Sequence, residues 1–258
     1  MSTFPLAEGR GRSAVRHDLV RRTAVVLRKE ELPGGMIRVT VGGHELAGFT
    51  SVGPADHVKL FFPTTSGGVL GRDYTPSEFR PIGASSGPEL DLDLVAHGTE
   101  GPASAWALAS APGDTLAFGG PKGSRLAPSG FRNALLVADP SGLPALRRWI
   151  RAYTGTLPVH AVLFGGAVAE GYLDDAERTA ATPQVATEEH DLVTVVAAQD
   201  VDADTFVFGA GEAGALAAVR RHLKDLGLPK ENRSLHGYWK RGDAGFDHHA
   251  PLDPSDPD

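Results

Sequence analysis

The chain contains no cysteine. Disulfides, cysteine-ligated iron–sulfur clusters and thiol nucleophiles are thereby excluded, and a reducing cytosol is the setting such a composition suits. No apolar run reaches the length of about 18 residues that a spanning helix needs. The start, Met1 to Gly11, lacks the apolar stretch of a secretory signal. A basic excess is also missing: 25 Lys and Arg stand against 32 Asp and Glu, a net charge of −7. Asp243, Asp247, Asp253, Asp256 and Asp258 lie in a C-terminal segment without Lys or Arg, and setting these five aside leaves the body at −2. Neither nucleic acid nor an anionic membrane meets a basic field on such a chain. No H-E-x-x-H, G-x-S-x-G or P-loop occurs, which removes the common hydrolase and NTPase readings.

What is present is ordinary globular material, 258 residues of which 41% are hydrophobic, enough for two domains. From Thr23 onward short alternating segments are punctuated by Gly and Pro. They predict strands over Thr23–Arg28, Met36–Gly42, Asp56–Phe62, Arg72–Thr75, Leu90–Val95 and Asp114–Gly119, with one helix over Pro102–Ala109. Short strands with frequent turns indicate a small all-β antiparallel barrel or sandwich. Past Pro128 the texture changes. Ala134–Ala138 is a continuous apolar run, and it, Val159–Phe164, Leu192–Ala197 and Phe206–Gly209 read as strands. Helical spacing appears over Leu143–Tyr153 and from Glu212 or Ala213 to Leu226, and Asn232–Trp239 closes the series as a last strand. Such alternation indicates an α/β domain around a parallel sheet buried on both faces. The expected organisation is a flexible N-terminus over 1–14, a β-barrel domain over 15–128, an α/β nucleotide-binding-like domain over 129–242, and a disordered, acidic, Pro-rich tail over 243–258.

Three segments could carry chemistry. Arg72-Asp73-Tyr74-Thr75 combines a guanidinium able to clamp a phosphate, a ring able to cover a flat cofactor and a hydroxyl able to donate to a ring nitrogen. Alternation puts Arg72 and Tyr74 on one face; an edge strand with a surface arginine is the competing reading. His97-Gly98-Thr99-Glu100-Gly101-Pro102-Ala103-Ser104 follows a strand and opens a helix, where backbone N–H groups and small residues can cradle a phosphate; a plain helix start reads equally. Gly209-Ala210-Gly211-Glu212-Ala213-Gly214 has the form G-x-G-x-x-G, yet only 44 residues follow it and several βα units precede it. It therefore reads as a late strand end that lets a ligand approach the backbone, or as a tight structural turn, not as a Rossmann fingerprint. His248-His249 in the tail and the adjacent pair Asp174-Asp175 offer no convincing metal or acid/base site.

With these pieces in order the sequence resembles the siderophore-interacting protein family of flavin-dependent ferric-siderophore reductases, which has a ferredoxin-reductase-like fold. The resemblance runs from about Val25 to Gly242. It is carried by Asp56-His57-Val58-Lys59-Leu60, Arg72-x-Tyr74-Thr75-Pro76, His97-Gly98 leading to Gly101-Pro102-Ala103-Ser104-x-Trp106, and Pro112-Gly113-Asp114. It continues through Gly120-Pro121-Lys122-Gly123-Ser124, Gly211-Glu212-Ala213 and Gly237-Tyr238-Trp239-Lys240-Arg241-Gly242. It implies FAD on the barrel. Arg72 would take a pyrophosphate oxygen, Tyr74 would pack on the flavin, Thr75 would approach N5, and His97 with Gly101 to Ser104 would surround the pyrophosphate. Gly209, Gly211 and Glu212 would lie near an incoming NADH or NADPH, and Trp239 near the flavin.

Lys59, Lys240 and Arg241 would clamp an anionic ferric siderophore. No acid/base residue and no resident metal is implied, ferredoxin is an alternative electron source, and the setting is cytoplasmic. Two positions depart from the family pattern. Ser77 replaces an arginine two residues after the motif threonine, and Pro140 replaces a glutamate in Asp139-Pro140-Ser141-Gly142-Leu143-Pro144, removing a backbone donor. These departures motivate an alternative, an FAD-binding enzyme of the same fold repurposed for small-molecule biosynthesis. A carrier that only holds a siderophore is the non-enzymatic reading.

Overall fold

Alternating apolar residues build the first half of the chain into strands. The computed structural model of the protein describes residues 4–64, 67–83, 87–96, 101–165 and 171–256. It divides into two units, one of Met1–Pro5 with Arg12–Ala127, the other of Leu6–Gly11 with Pro128–Asp258.

The first unit holds β1 (Ala14–Arg16), β2 (Arg21–Leu32), β3 (Met36–Gly42), β4 (Val58–Pro63), β5 (Val69–Tyr74), β6 (Pro76–Arg80), β7 (Glu89–Val95), α1 (Pro102–Ala109), β8 (Thr115–Gly119) and β9 (Gly123–Arg125). Seven strands form one antiparallel sheet in the order β5-β4-β8-β2-β3-β7-β6. Its two edge strands, β5 and β6, are consecutive in the chain and separated by Thr75 alone. Two residues span at most about 7 Å, so the edges must meet and the sheet curls into a barrel. Inside lie Val39, Val41, Val58, Leu60, Phe62, Leu90, Leu92, Leu94 and Phe118, all buried. The helix α1 packs Ala103 and Ala107 onto this core. β1 and β9 form a separate two-stranded ribbon.

The second unit runs β10 (Asn133–Ala138), α2 (Leu143–Tyr153), β11 (Val159–Phe164), α3 (Asp175–Ala181), β12 (Pro183–Ala186), α4 (Leu192–Ala197), β13 (Thr205–Glu212), α5 (Ala213–Asp225) and β14 (Arg233–Trp239). Its parallel sheet has the order β12-β11-β10-β13-β14. The first strand, β10, lies in the middle, buried throughout. Strand order reverses between β10 and β13, and the crevice outside the carboxyl ends of such a pair is where ligands bind in open α/β sheets. On one face Trp149 and Tyr153 of α2 stack with Phe206 and Phe208.

Three expectations are corrected here. Leu192–Ala197 is a helix, not a strand: Leu192 and Val196, four apart, are buried while Thr194 is exposed, so packing overrides the β-branched propensity. The strand at that edge of the sheet is β12, too short and polar to stand out. Of the N-terminal stretch expected to be flexible, the described part is docked. Arg10 donates to the carbonyls of Gly130 (3.1 Å) and Ala203 (2.9 Å), pairs with Asp204 and covers the Phe131 ring. The acidic tail, expected to be disordered, is also docked. Asp256 accepts from Lys224 (2.6 Å) and Arg220 (3.1 Å), Asp253 accepts from Arg221, and Leu252 packs on the core. Its charge complements a basic row on α5, where Arg220 and Lys224 are one turn apart.

Candidate functional site

In the first unit the tetrapeptide Arg72–Thr75 occupies the seam where the barrel closes. Arg72 and Tyr74 lie opposite Leu60 and Val58 across β4, on the sheet face that turns to the core. The Tyr74 ring stands edge-on to Phe62 at 6.4 Å, and Trp106 of α1 meets the same Phe62 at 5.7 Å. The motif strand and the helix thus share one aromatic contact. Burial pushes the Tyr74 phenol up to about 12, against the opposing pull of the Arg72 charge, so the hydroxyl stays protonated at any working pH. Thr75 is buried at the switch from one edge to the other.

The phosphate cradle expected from the sequence lies at the start of α1. Gly101 precedes Pro102 in extended conformation and makes no side-chain cap, and the first amide bonded within the helix is that of Ala105, to the Gly101 carbonyl (2.8 Å). The Ser104 hydroxyl donates to the Val95 carbonyl (3.1 Å), tying α1 to β7. His97 lies outside the described residues, as do Gly98, Thr99 and Glu100.

Beside the seam is a layer that sequence reasoning missed. Strand β7 alternates Glu89, Asp91 and Asp93 with its core leucines, and all three acids are buried. Arg38 grips Asp93 with two bonds of 2.7 and 2.8 Å, Arg80 grips Asp91 with two of 2.7 and 2.6 Å, and Arg28 reaches Glu89 at 2.9 Å. Thr40 donates to Asp91 (2.7 Å). Ser77, at a bulge in the β6–β7 ladder, donates to Asp93 (2.6 Å). Ser77 is therefore part of this layer, a buried hydroxyl where a guanidinium would add a further charge. The signal was legible as acid–Leu alternation in Glu89–Leu94, but its partners sit on three other strands.

In the second unit the carboxyl ends of β10, β13 and β14 meet at Asp139. Its Oδ1 accepts from the Ser141 amide (2.8 Å), the Ser141 hydroxyl (2.6 Å) and the Gly142 amide (3.3 Å). Its Oδ2 accepts from the Glu212 amide (2.8 Å) and the Trp239 indole (2.7 Å). Burial pushes the Asp139 carboxyl up, and the bonds from Ser141, Trp239 and Glu212 oppose that shift. The glycine motif serves this hub. Gly211 has φ +151°, and a Cβ there would stand 2.6 Å from the Asp139 carboxyl carbon. A Cβ on Gly142 would stand 2.3 Å from the Ala210 carbonyl oxygen. Gly209 packs against Leu235 and Leu216. Glu212 caps α5 by accepting from the Ala215 amide (2.7 Å) and receives the Arg241 amide (3.1 Å).

The candidate cations are engaged within their own units. Lys59 pairs with Asp73 at 2.6 Å, and Arg241 with Glu189 at 2.6 Å beside the Trp239 ring. Lys240 is exposed and bridges to Asp243. Arg147 and Arg151 converge on Glu177 at 2.6 and 2.9 Å, so both are held by α3.

Comparison with known proteins bears on both units. Residues 131–242 match the siderophore-interacting protein family, and residues 25–70 and 68–125 match the siderophore-interacting FAD-binding domain. A solved siderophore utilization protein from T. fusca superposes with a TM-score of 0.79 at 31% identity, covering 93% of this chain and all of that one. The NADPH-dependent ferric-chelate reductase of Escherichia coli K12 is 41% identical over 154 residues, 52% of this chain and 58% of that protein. The ferric vibriobactin reductase ViuB of Vibrio cholerae is 29% identical over 140 residues, 46% and 49% of the two chains. This chain thus spans about half the length of these two curated relatives.

Proposed function

Since the chain belongs to the siderophore-interacting protein family, we propose that it is an FAD-dependent oxidoreductase that reduces ferric siderophores, taking its electrons from NADPH or NADH. The observation that carries this reading is that Tyr74, on the same strand face as Arg72, and Trp106 of α1 both pack on Phe62, within the stretch that matches an FAD-binding domain. The donor set fits the group. A guanidinium and backbone amides suit a pyrophosphate, and a neutral, edge-packed phenol suits an apolar ring system. When bound, FAD supplies single electrons to Fe(III), and the resulting Fe(II) is held less tightly by hard oxygen donors.

The chain's own part is to bind and orient. Arg72 and the start of α1 would hold the pyrophosphate, Tyr74 would cover the ring system, and Thr75 would approach N5. Lys59 of the first unit, and Lys240 and Arg241 of the second, are the cations available to an anionic chelate, Lys59 by exchanging Asp73 and Arg241 by exchanging Glu189. In the second unit the Asp139 hub fixes Trp239 and the strand ends where the nicotinamide arrives, and a ferredoxin would be an alternative donor at the same face. No helix among the described residues is long and apolar enough to cross a membrane. A reducing cytosol suits a chain without cysteine.

Two measurements test the reading. Arg72→Ala is expected to weaken FAD binding by about 10- to 100-fold, the worth of one or two charge-assisted bonds, and to leave the purified chain largely colourless. Retention of stoichiometric FAD by this variant would remove Arg72 from the site. The anaerobically reduced holoprotein, mixed with a ferric hydroxamate or ferric catecholate and an Fe(II) trap, is expected to reoxidise faster than free reduced FAD. Equal rates would end the proposal.

A further inference from the structure

The barrel has a second polar feature, away from α1. That helix covers the end where β4 and β7 finish, against Phe62. At the end where β3 runs out into Gly43 and His44 there is a cavity of about 580 Å³, walled in part by Arg16, His17, Asp18, Arg22, His44 and Glu45. Arg22 is the anomaly. It alternates along β2 with Ala24 and Val26, which are core residues, and is only 7% exposed. Its guanidinium makes one hydrogen bond among the described residues, from Nη1 to the Val20 carbonyl at 3.3 Å, and its buried Nε has no partner. The Phe49 ring lies 5.6 Å away. Burial lowers its pKa, partly offset by the charge of Glu45. A buried guanidinium carries five N–H donors and is ordinarily paired with an anion, and a single long bond to a carbonyl does not meet that demand.

His17 completes the wall. Its Nε2 lies 2.7 Å from the Ser124 hydroxyl, which donates its one hydrogen to Asp56 Oδ2 at 2.5 Å. Ser124 can then only accept from His17, so Nε2 is the donor of that bond and Nδ1 is the ring nitrogen left to accept a ligand hydrogen. Arg16 adds a third basic group, whereas Asp18 and Glu45 add acceptors. A bare inorganic ion would gain nothing from those acceptors; an oxyanion that also bears hydroxyl groups would use both kinds of wall.

We propose that this cavity is a binding site for a small hydroxylated oxyanion, its phosphate or carboxylate head on Arg22 and Arg16, with one hydroxyl donating to His17 Nδ1 and others to Asp18 or Glu45. The site uses none of the residues assigned to FAD, nicotinamide or siderophore, so it stands or falls separately from that reading. The test is isothermal titration of the full chain as purified with inorganic phosphate and with citrate, in chloride adjusted to constant ionic strength. Saturable binding of at least one is expected, without change in any flavin absorbance. Tighter binding of phosphate would assign a phosphate head, and tighter binding of citrate a carboxylate head. Arg22→Gln is expected to weaken binding about tenfold or more, since it removes a charge-assisted contact. His17→Ala, at the cavity rim and less exposed to folding failure, is expected to weaken it about threefold or more. No saturable binding of either probe to the wild-type chain overturns the proposal, as does binding unchanged in Arg22→Gln or, should that variant not fold, in His17→Ala.

Discussion

Arg80→Met is expected to destabilise the first unit by about 2–4 kcal/mol at pH 7, and by much less near pH 4. Arg80 holds both oxygens of Asp91 and also reaches Glu89 at 3.2 Å, and both acids are almost fully buried. Removing one partner of a buried pair leaves an uncompensated charge. The expected loss is set below the full value for such a pair because the Arg80 side chain keeps 27% of its exposure and Arg28 still faces Glu89.

The pH dependence follows from Asp91. Burial opposes its ionisation, but Arg80, Thr40 and Arg38 outweigh burial and hold the carboxyl below its ordinary value. A depressed carboxyl contributes stability above its unfolded value of about 4, and that stability is lost as pH falls through the folded value. Without Arg80 burial is less opposed and the carboxyl moves up. Its contribution then belongs to the acid side and is lost as pH rises. Thermal unfolding followed by circular dichroism from pH 4 to pH 8 should show the two curves converging toward acid. A gap of constant width across that range would mean that Arg80 acts through packing alone.

Asp139→Asn is expected to cost the second unit about 2–4 kcal/mol, although the substitution is nearly isosteric and removes a buried charge. The carboxylate accepts five hydrogen bonds, three on one oxygen and two on the other. An amide can serve one group of donors only, and turns its own N–H groups toward the other. At least two buried donors thus lose their acceptor. If the amide nitrogen faces Oδ2's partners, the Trp239 indole is released and its fluorescence shifts toward that of exposed tryptophan. Because burial raises the Asp139 carboxyl, its contribution to stability is present below the unfolded value and declines as pH rises through the folded one. The variant should lose that slope. Urea unfolding of wild type and variant at several pH values measures both effects; an unchanged midpoint would show that the hub is dispensable.

The periodicities were enough for most elements. Met36–Gly42, Pro102–Ala109, Leu143–Tyr153 and Val159–Phe164 have the bounds their patterns predict. Period-2 and period-3.6 burial are local properties, and a strong local pattern survives folding. The all-β and α/β character of the two halves was legible for the same reason, as was the resemblance carried by Arg72–Pro76 and Gly120–Ser124. Leu192–Ala197 failed because a six-residue apolar run fits either element, and only its neighbours on α5 and β11 select the helix.

What the tertiary structure alone decided is where charges and donors find one another. Arg72-x-Tyr74-Thr75 was readable as an extended segment, but not as the seam of a closed sheet, because strand order depends on pairings made far along the chain. Glu89, Asp91 and Asp93 alternate with leucines in the sequence, but only the fold brings Arg28, Arg38 and Arg80 to them from three other strands. Gly209–Gly214 suggested a ligand approach, whereas the close packing of Gly211 on Asp139 gives those glycines a structural role of their own. Sequence periodicity encodes which face is buried. A polar residue's partners are set by register and topology, and these are not local.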